Sequence, residues 1–302
     1  MAVNPLLIPA VSLMLSLPVL AGQEGSGQAG EVDIIELGTD QRDRMTVPVR
    51  IGAHGPFEFM IDTGSQNTVI STSLATRLAL PTAKRVRLIG VAGTKSVDSV
   101  EIEQIDLGTR SYYGILAPLL ERRDIGADGI LGLDSLQGQR VQIDFKKGTI
   151  AVADAKTLGG NRGYDIVVNA RRRSGQLIMA EAKIDGIRVD VVIDTGGESS
   201  IGNRALQKAL ARRHRGEQAE LISVTGQTIT ADINYASRLT LGEMSFTNVQ
   251  IAYADSPSFE VLELTKRPAL FLGMRDLRQL DRLAIDFAAR KVFFDLPSSA
   301  FH

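Results

Sequence analysis

The chain contains no cysteine and no tryptophan, and only three histidines among its 302 residues. Without cysteine it has no disulfide framework, no thiolate metal site and no cysteine nucleophile. His54, His214 and His302 are too scattered to suggest a zinc site or imidazole chemistry, so neither a metal nor a cofactor is expected. The formal net charge is −1, which gives no basis for a nucleic-acid partner. Beyond the first 21 residues, no apolar run is long enough to span a bilayer.

Those first 21 residues, MAVNPLLIPAVSLMLSLPVLA, carry no charge and end in Val19-Leu20-Ala21, a small-residue pattern suited to signal peptidase. The expectation is export to the periplasm or cell envelope, with residues 1–21 either a cleaved signal peptide or a retained membrane anchor. Residues 22–31 are Gly-rich and polar, and read as a flexible spacer.

What the chain does contain is one pattern written twice. The stretch FMIDTGSQNT at 59–68 and VVIDTGGESS at 191–200 each place Asp-Thr-Gly at the end of a run of bulky apolar residues. Burying a carboxylate there is costly, and Asp62 and Asp194 stand out for that reason. Each is preceded by two short β-runs joined by a turn, MTVPVRIGAHGPFEFMI and LIMAEAKIDGIRVDVVI. Each is followed by a short amphipathic segment, STSLATRLAL in the first copy and NRALQKALARRHRG in the second. A turn-interrupted β-run comes next, with Gly93 31 residues past Asp62 and Gly226 32 past Asp194. Both copies then reach an apolar run ending in glycine (Gly132, Gly273), and both close on Ile-Asp-Phe, a charged turn and a further strand.

Short runs rich in Val, Ile and Leu, with few helical stretches, predict an all-β protein of two similar lobes, residues 32–158 and 163–298. Lobes of this kind can meet about a pseudo-twofold axis and bring Asp62 and Asp194 face to face. Adjacent carboxyls resist double ionisation and share a proton, one acting as base and the other as acid, which suits hydrolysis of a peptide bond by water. Thr63 and Thr195 would hydrogen-bond across the axis. Gly64 and Gly196 would let backbone approach the carboxyls. The tips Val91-Ala92-Gly93 and Val224-Thr225-Gly226 would fold over a cleft holding an extended polypeptide substrate.

With these residues in view, the chain resembles the aspartic peptidases of the pepsin and retroviral-protease type. The resemblance rests on the two Asp-Thr-Gly motifs and on Ile130-Leu131-Gly132 and Phe271-Leu272-Gly273, and covers about Val32 to Leu296. It implies a bilobed pepsin/retropepsin-like fold, with Asp62 and Asp194 as the catalytic pair and one chain, a monomer, sufficient for activity. With no tyrosine near the first tip and no tryptophan, the chain is more similar to the retroviral and bacterial retropepsin-like members than to pepsin. The motifs also differ: Ser65 follows the first and could hold the outer oxygen of Asp62, whereas Gly197 follows the second and has no hydroxyl to do so. The alternative is a peptide-binding module of the same bilobed form without turnover.

Other singled-out residues read as structural. Asp144 and Asp286 are expected to cap turns, ARRRSG at 170–175 to be a solvated loop, ARRHRG at 211–216 a helix end, ERRD at 121–124 a segment bordering the cleft, and His54 a turn residue.

Overall fold

The computed structural model describes residues 7–9, 13–15, 33–39, 44–136, 138–160, 163–210 and 217–297. Among them the fold is β-rich, with five short helices and strands arranged in four sheets. The expectations for residues 1–21 and 22–31 fall outside the described residues, apart from the backbone of two three-residue strands at Leu7–Pro9 and Leu13–Leu15. No helix among the described residues is long and apolar enough to cross a membrane.

The two copies of the sequence pattern fold alike. In the first, Met45–Ile51 and His54–Ile61 form a hairpin whose second strand runs parallel to Gly129–Leu131. In the second, Gln176–Ile184 and Ile187–Ile193 form the hairpin, and its second strand runs parallel to Ala269–Leu272. All three central strand segments Phe59–Ile61, Gly129–Leu131 and Ala269–Leu272 are wholly buried, as apolar runs covered on both faces must be. A six-residue helix follows each motif. Ser71 caps Thr72–Arg77 by accepting from the Leu74 N–H at 3.2 Å, and Asn203 caps Arg204–Ala209 by accepting from Leu206 N–H at 2.8 Å. The basic stretch 211–216 lies outside the described residues.

The lobes share a six-stranded sheet whose order reads symmetrically outward from its centre. Arg140–Asp144 pairs antiparallel with Arg282–Asp286 in the middle, Thr149–Ala153 and Lys291–Asp295 flank them, and Asp33–Glu36 and Ile166–Asn169 form the edges. The central register sets Arg140 opposite Asp286 and Asp144 opposite Arg282, as a pseudo-twofold between the lobes requires.

Asp144 and Asp286 do cap turns, accepting from Lys147 N–H (2.8 Å) and Ala289 N–H (2.7 Å). Asp286 does more: its other oxygen meets the fully buried Arg140 at 3.0 Å, and removing either partner would strand a charge in the core. His54 is exposed and opens the second strand of its hairpin, across from Ile51. The loop expected at 170–175 is instead largely strand. Arg171–Arg173 pairs with Leu177 and its neighbours, Arg171 reaches Asp190 at 2.8 Å and Arg173 pairs with Glu263. Turn residues Ser174-Gly175 let this arginine run fold back as a hairpin edge, and acidic partners on neighbouring segments hold it there.

Candidate active site

Asp62 and Asp194 each follow directly on a buried strand. Their backbone N–H groups donate to Leu131 O (3.2 Å) and Leu272 O (3.0 Å), so each loop starts from the parallel ladder beside it. The far side of each loop is clamped in the same way. Leu133 N–H donates to Ser65 O at 2.9 Å, and Met274 N–H donates to Gly197 O at 2.8 Å. Gly132 and Gly273 permit this: a Cβ on either would lie 2.4 Å or 2.6 Å from the backbone of Asn67 or Ser199.

Behind the clamps sit two carboxyls that the sequence reasoning did not single out, Asp134 half-buried and Asp276 buried. Thr68 donates through its N–H and hydroxyl to Asp134 (2.9 and 2.7 Å), and its oxygen accepts from Gly132 N–H. In the other lobe Ser200 donates to Asp276 at 2.5 Å and accepts from Gly273 N–H at 3.0 Å. Burial pushes both carboxyls above their ordinary range, partly offset by these donors. The signal was present in the sequence, since an aspartate follows each glycine in GLD and GMRD.

The two loops interlock. Thr63 N–H donates to Thr195 Oγ1 at 3.0 Å and Thr195 N–H to Thr63 Oγ1 at 3.3 Å. Each hydroxyl then donates beyond the partner residue, Thr63 to Ile193 O (3.1 Å) and Thr195 to Ile61 O (3.0 Å). Two further contacts tie the lobes beside the loops: Gln66 donates to Ser174 O at 2.6 Å, and Gln176 donates to Gly64 O. Gln176 and Arg44 occupy equivalent places, each 18 residues before its aspartate, and both are buried. Arg44 donates to Ile125 O, and its positive charge favours the ionised form of Asp62. Neither residue was legible as part of the site, because nothing in a lone Arg or Gln at a strand end distinguishes it from a surface residue.

The carboxyls themselves lie within the interlock, Asp62 fully buried and Asp194 at 1% exposure. A Cβ on Gly64 would stand 2.8 Å from Asp194 Oδ1, and one on Gly196 would stand 2.4 Å from Asp62 Cγ. The backbone of each loop therefore touches the carboxyl of the other. Asp62 Oδ1 accepts from Gly64 N–H at 2.7 Å, whereas Asp194 Oδ1 accepts from both Gly196 and Gly197 N–H at 3.1 and 3.0 Å. Ser65 does not hold Asp62 through its hydroxyl, which donates to Asn67 O at 2.8 Å. Asp62 Oδ2 is buried and receives no N–H or hydroxyl donor.

Burial is the main force on both groups and raises both. Asp62 is pushed up to about 7, with the Gly64 and Ser65 N–H groups and the Arg44 charge pulling the other way. Asp194 is also raised well above its ordinary range, by desolvation first and then by the Asp62 charge. The negative charge of Asp62 beside it favours the protonated form of Asp194.

Each lobe also carries a hairpin, Val86–Gly90 with Gly93–Val97 in the first and Gln218–Ile222 with Thr228–Leu241 in the second. Their tips reach across to the opposite lobe. Val91 and Ile89 pack into an apolar cluster of the second lobe with Ile178, Val192, Leu221 and Phe271, and Ala92 lies against it. Val224 packs into one of the first lobe with Met60, Val69, Leu88 and Ile130. Lys95 donates to Thr225 O at 2.8 Å and Gln227 donates to Thr94 O at 3.3 Å. Gly93 (φ 156°) and Gly226 (φ 78°) make the turns, and Thr225 is buried beneath them. Asp124 of the ERRD segment abuts Gly226.

None of the curated proteins matches the chain. The aspartyl protease family matches it twice, over residues 47–135 and 180–275, and these two stretches each hold one Asp-Thr-Gly loop, one hairpin tip and one glycine clamp. Together they span more than half of the sequence, and the chain belongs to the aspartyl protease family.

Proposed function

We propose that the protein is an aspartic endopeptidase of the single-chain, retroviral type, with Asp62 as base and Asp194 as acid. The observation that carries this is two buried carboxyls on loops interlocked by reciprocal threonine hydrogen bonds, the backbone of each loop lying against the carboxyl of the other. In the first step Asp62 takes a proton from water as its oxygen attacks the scissile carbonyl carbon, while Asp194 gives its proton to the carbonyl oxygen. The product is a neutral gem-diol. In the second, the proton on Asp62 passes to the leaving nitrogen, the C–N bond breaks, and a diol hydroxyl returns a proton to Asp194. The starting protonation state is restored and no cofactor takes part.

The two hairpins act as flaps over an extended polypeptide, with backbone edges for recognition and tips that exclude water. Two flaps of comparable length favour the retroviral over the pepsin arrangement, and one chain supplies both aspartates, so a monomer suffices. Export to the cell envelope, with residues 1–21 as signal or tether, completes the proposal.

The test is cleavage of a randomised peptide library by the full chain beside its Asp62→Asn form. Cuts made only by the unsubstituted protein, and unaffected by chelators, are expected. Equal cutting by both proteins would remove Asp62 from the chemistry, and peptide retention without cutting by either would favour a binding module.

A further inference from the structure

The two hairpins that end in the aspartate loops have matching registers. Thr46 faces Met60 in the first lobe, and Ile178 faces Val192 in the second. Each step back on one strand of an antiparallel pair is a step forward on the other. Carried two positions further, the registers therefore set Arg44 opposite Asp62 and Gln176 opposite Asp194. Facing residues share one side of such a pair, with Cβ atoms about 5 Å apart in a regular ladder. Each aspartate thus has one facing residue on the neighbouring strand, and both facing residues are buried.

The two facing residues differ in charge and in where they are held. Gln176 is neutral and reaches across the twofold, donating to Gly64 O in the loop of the other lobe. Arg44 donates to Ile125 O at the end of the short helix Arg122–Ile125, so its guanidinium is anchored in the lobe of Asp62. A guanidinium stays protonated even when buried. Away from water its charge acts on a neighbouring carboxyl several-fold more strongly than at the surface, whereas a carboxamide offers only a dipole. The dyad therefore sits in a fixed field that its twofold does not cancel: a permanent positive charge faces Asp62, and a neutral group faces Asp194.

The other groups around the carboxyls come in like pairs. Backbone N–H groups of Gly64 and Ser65 favour charge on Asp62, and those of Gly196 and Gly197 favour it on Asp194. Asp134 and Asp276 lie behind the clamps, one in each lobe, and each is held by a hydroxyl. Glu198, in the second loop, is paired with Arg278 at 3.1 Å and adds little net charge. Arg44 is what differs, and its charge opposes the upward push that burial gives Asp62.

We propose that Arg44 is a positioning residue for the proton of the dyad: as the charged member of the facing pair, it breaks the symmetry of the two aspartates and makes Asp62 the one that is ionised before water attacks. This rests on the hydrolysis proposed above for its consequence and adds what selects the base. The one proton that the carboxyls share stays on Asp194, because Asp62 is the better-stabilised ion beside Arg44.

The experiment is a carbon-13 NMR titration of the full chain labelled at the aspartate carboxyl carbons. Asp62 and Asp194 are identified by the signals lost in Asp62→Asn and Asp194→Asn. In the unsubstituted chain Asp62 is expected to ionise first. Arg44→Gln makes the facing pair alike and should raise the Asp62 midpoint by at least about 1 pH unit. Arg44→Lys keeps the charge without the planar fork and should recover at least about half of that shift. Exchanging the pair, Arg44→Gln with Gln176→Arg, should make Asp194 ionise first. Ionisation of Asp194 first in the unsubstituted chain would overturn the inference with no variant needed. So would an Asp62 midpoint moved by less than about 0.3 unit in Arg44→Gln, or equal shifts in Arg44→Gln and Arg44→Lys, which would mark a role in packing alone. The titration needs no turnover, so a chain that titrates as expected and cuts no library peptide would lose the peptidase reading and keep this one.

Discussion

The threonine interlock sets how strongly the two lobes are coupled, and Thr63→Val tests it with almost no change of shape. Valine keeps the volume and replaces the hydroxyl with a methyl, so no cavity opens. Two hydrogen bonds are lost, to Ile193 O at 3.1 Å and from Thr195 N–H at 3.3 Å, together with the 3.3 Å contact to the Thr195 hydroxyl, whose own proton goes to Ile61 O. The Ile193 carbonyl and the Thr195 N–H are left buried without partners, at about 1–3 kcal/mol each. The extra buried methyl returns roughly 1 kcal/mol. The net loss is about 1–5 kcal/mol, a large part of the roughly 5–15 kcal/mol that holds a typical protein folded. Thr195→Val should cost a similar amount, through the Ile61 carbonyl and the Thr63 N–H. Because the two hydroxyls touch, the double variant should lose less than the sum of the singles, by more than about 0.5 kcal/mol. Urea unfolding followed by circular dichroism reads all three numbers. With a slope of about 3 kcal/mol per molar urea, each single variant should lower the midpoint by roughly 1 M. Single shifts below about 0.2 M, or strict additivity, would show that the interlock does not couple the lobes.

Three further outcomes follow from the site. With Asp62 raised to about 7 as the base and Asp194, also raised well above its ordinary range, as the acid, peptide cleavage should climb as the pH approaches 7 from below and fall only where Asp194 loses its proton; a maximum below about pH 5 would contradict this. Raised carboxyl pKa values also make the folded state hold protons that the unfolded chain has released, so these two groups stabilise the fold at low pH and lose that contribution as the pH rises from about 4 through their folded values. Asp62→Asn and Asp194→Asn should therefore gain stability relative to the parent on going from pH 4 to pH 8, and thermal melts with parallel pH trends for all three proteins would refute it. Gly196→Ala places a Cβ 2.4 Å from Asp62 Cγ and must displace that carboxyl, so kcat should drop about 100-fold or more while the circular dichroism spectrum is kept; near-normal turnover would mean the contact is not maintained in the working enzyme.

The repeat carried much of the architecture. Asp-Thr-Gly at the end of two apolar runs, with glycines at matched offsets, was enough to give a β-rich protein of two like lobes, because strand period, turn residues and burial are local properties of sequence. What lay beyond it was non-local. The arginine run at 171–173 reads as a loop until Asp190 and Glu263 are brought beside it. Ser65 reads as a partner for Asp62 until the loop turns its hydroxyl to Asn67. Arg44 and Gln176 acquire meaning only when their strand ends are packed against the aspartate loops.

The sequence by itself determined which carboxyls are costly to bury and that there are two of them in equivalent settings. Only the tertiary structure decided what surrounds each of them, the Arg44 charge beside Asp62 and the Asp62 charge beside Asp194, because these groups come from separate parts of the chain.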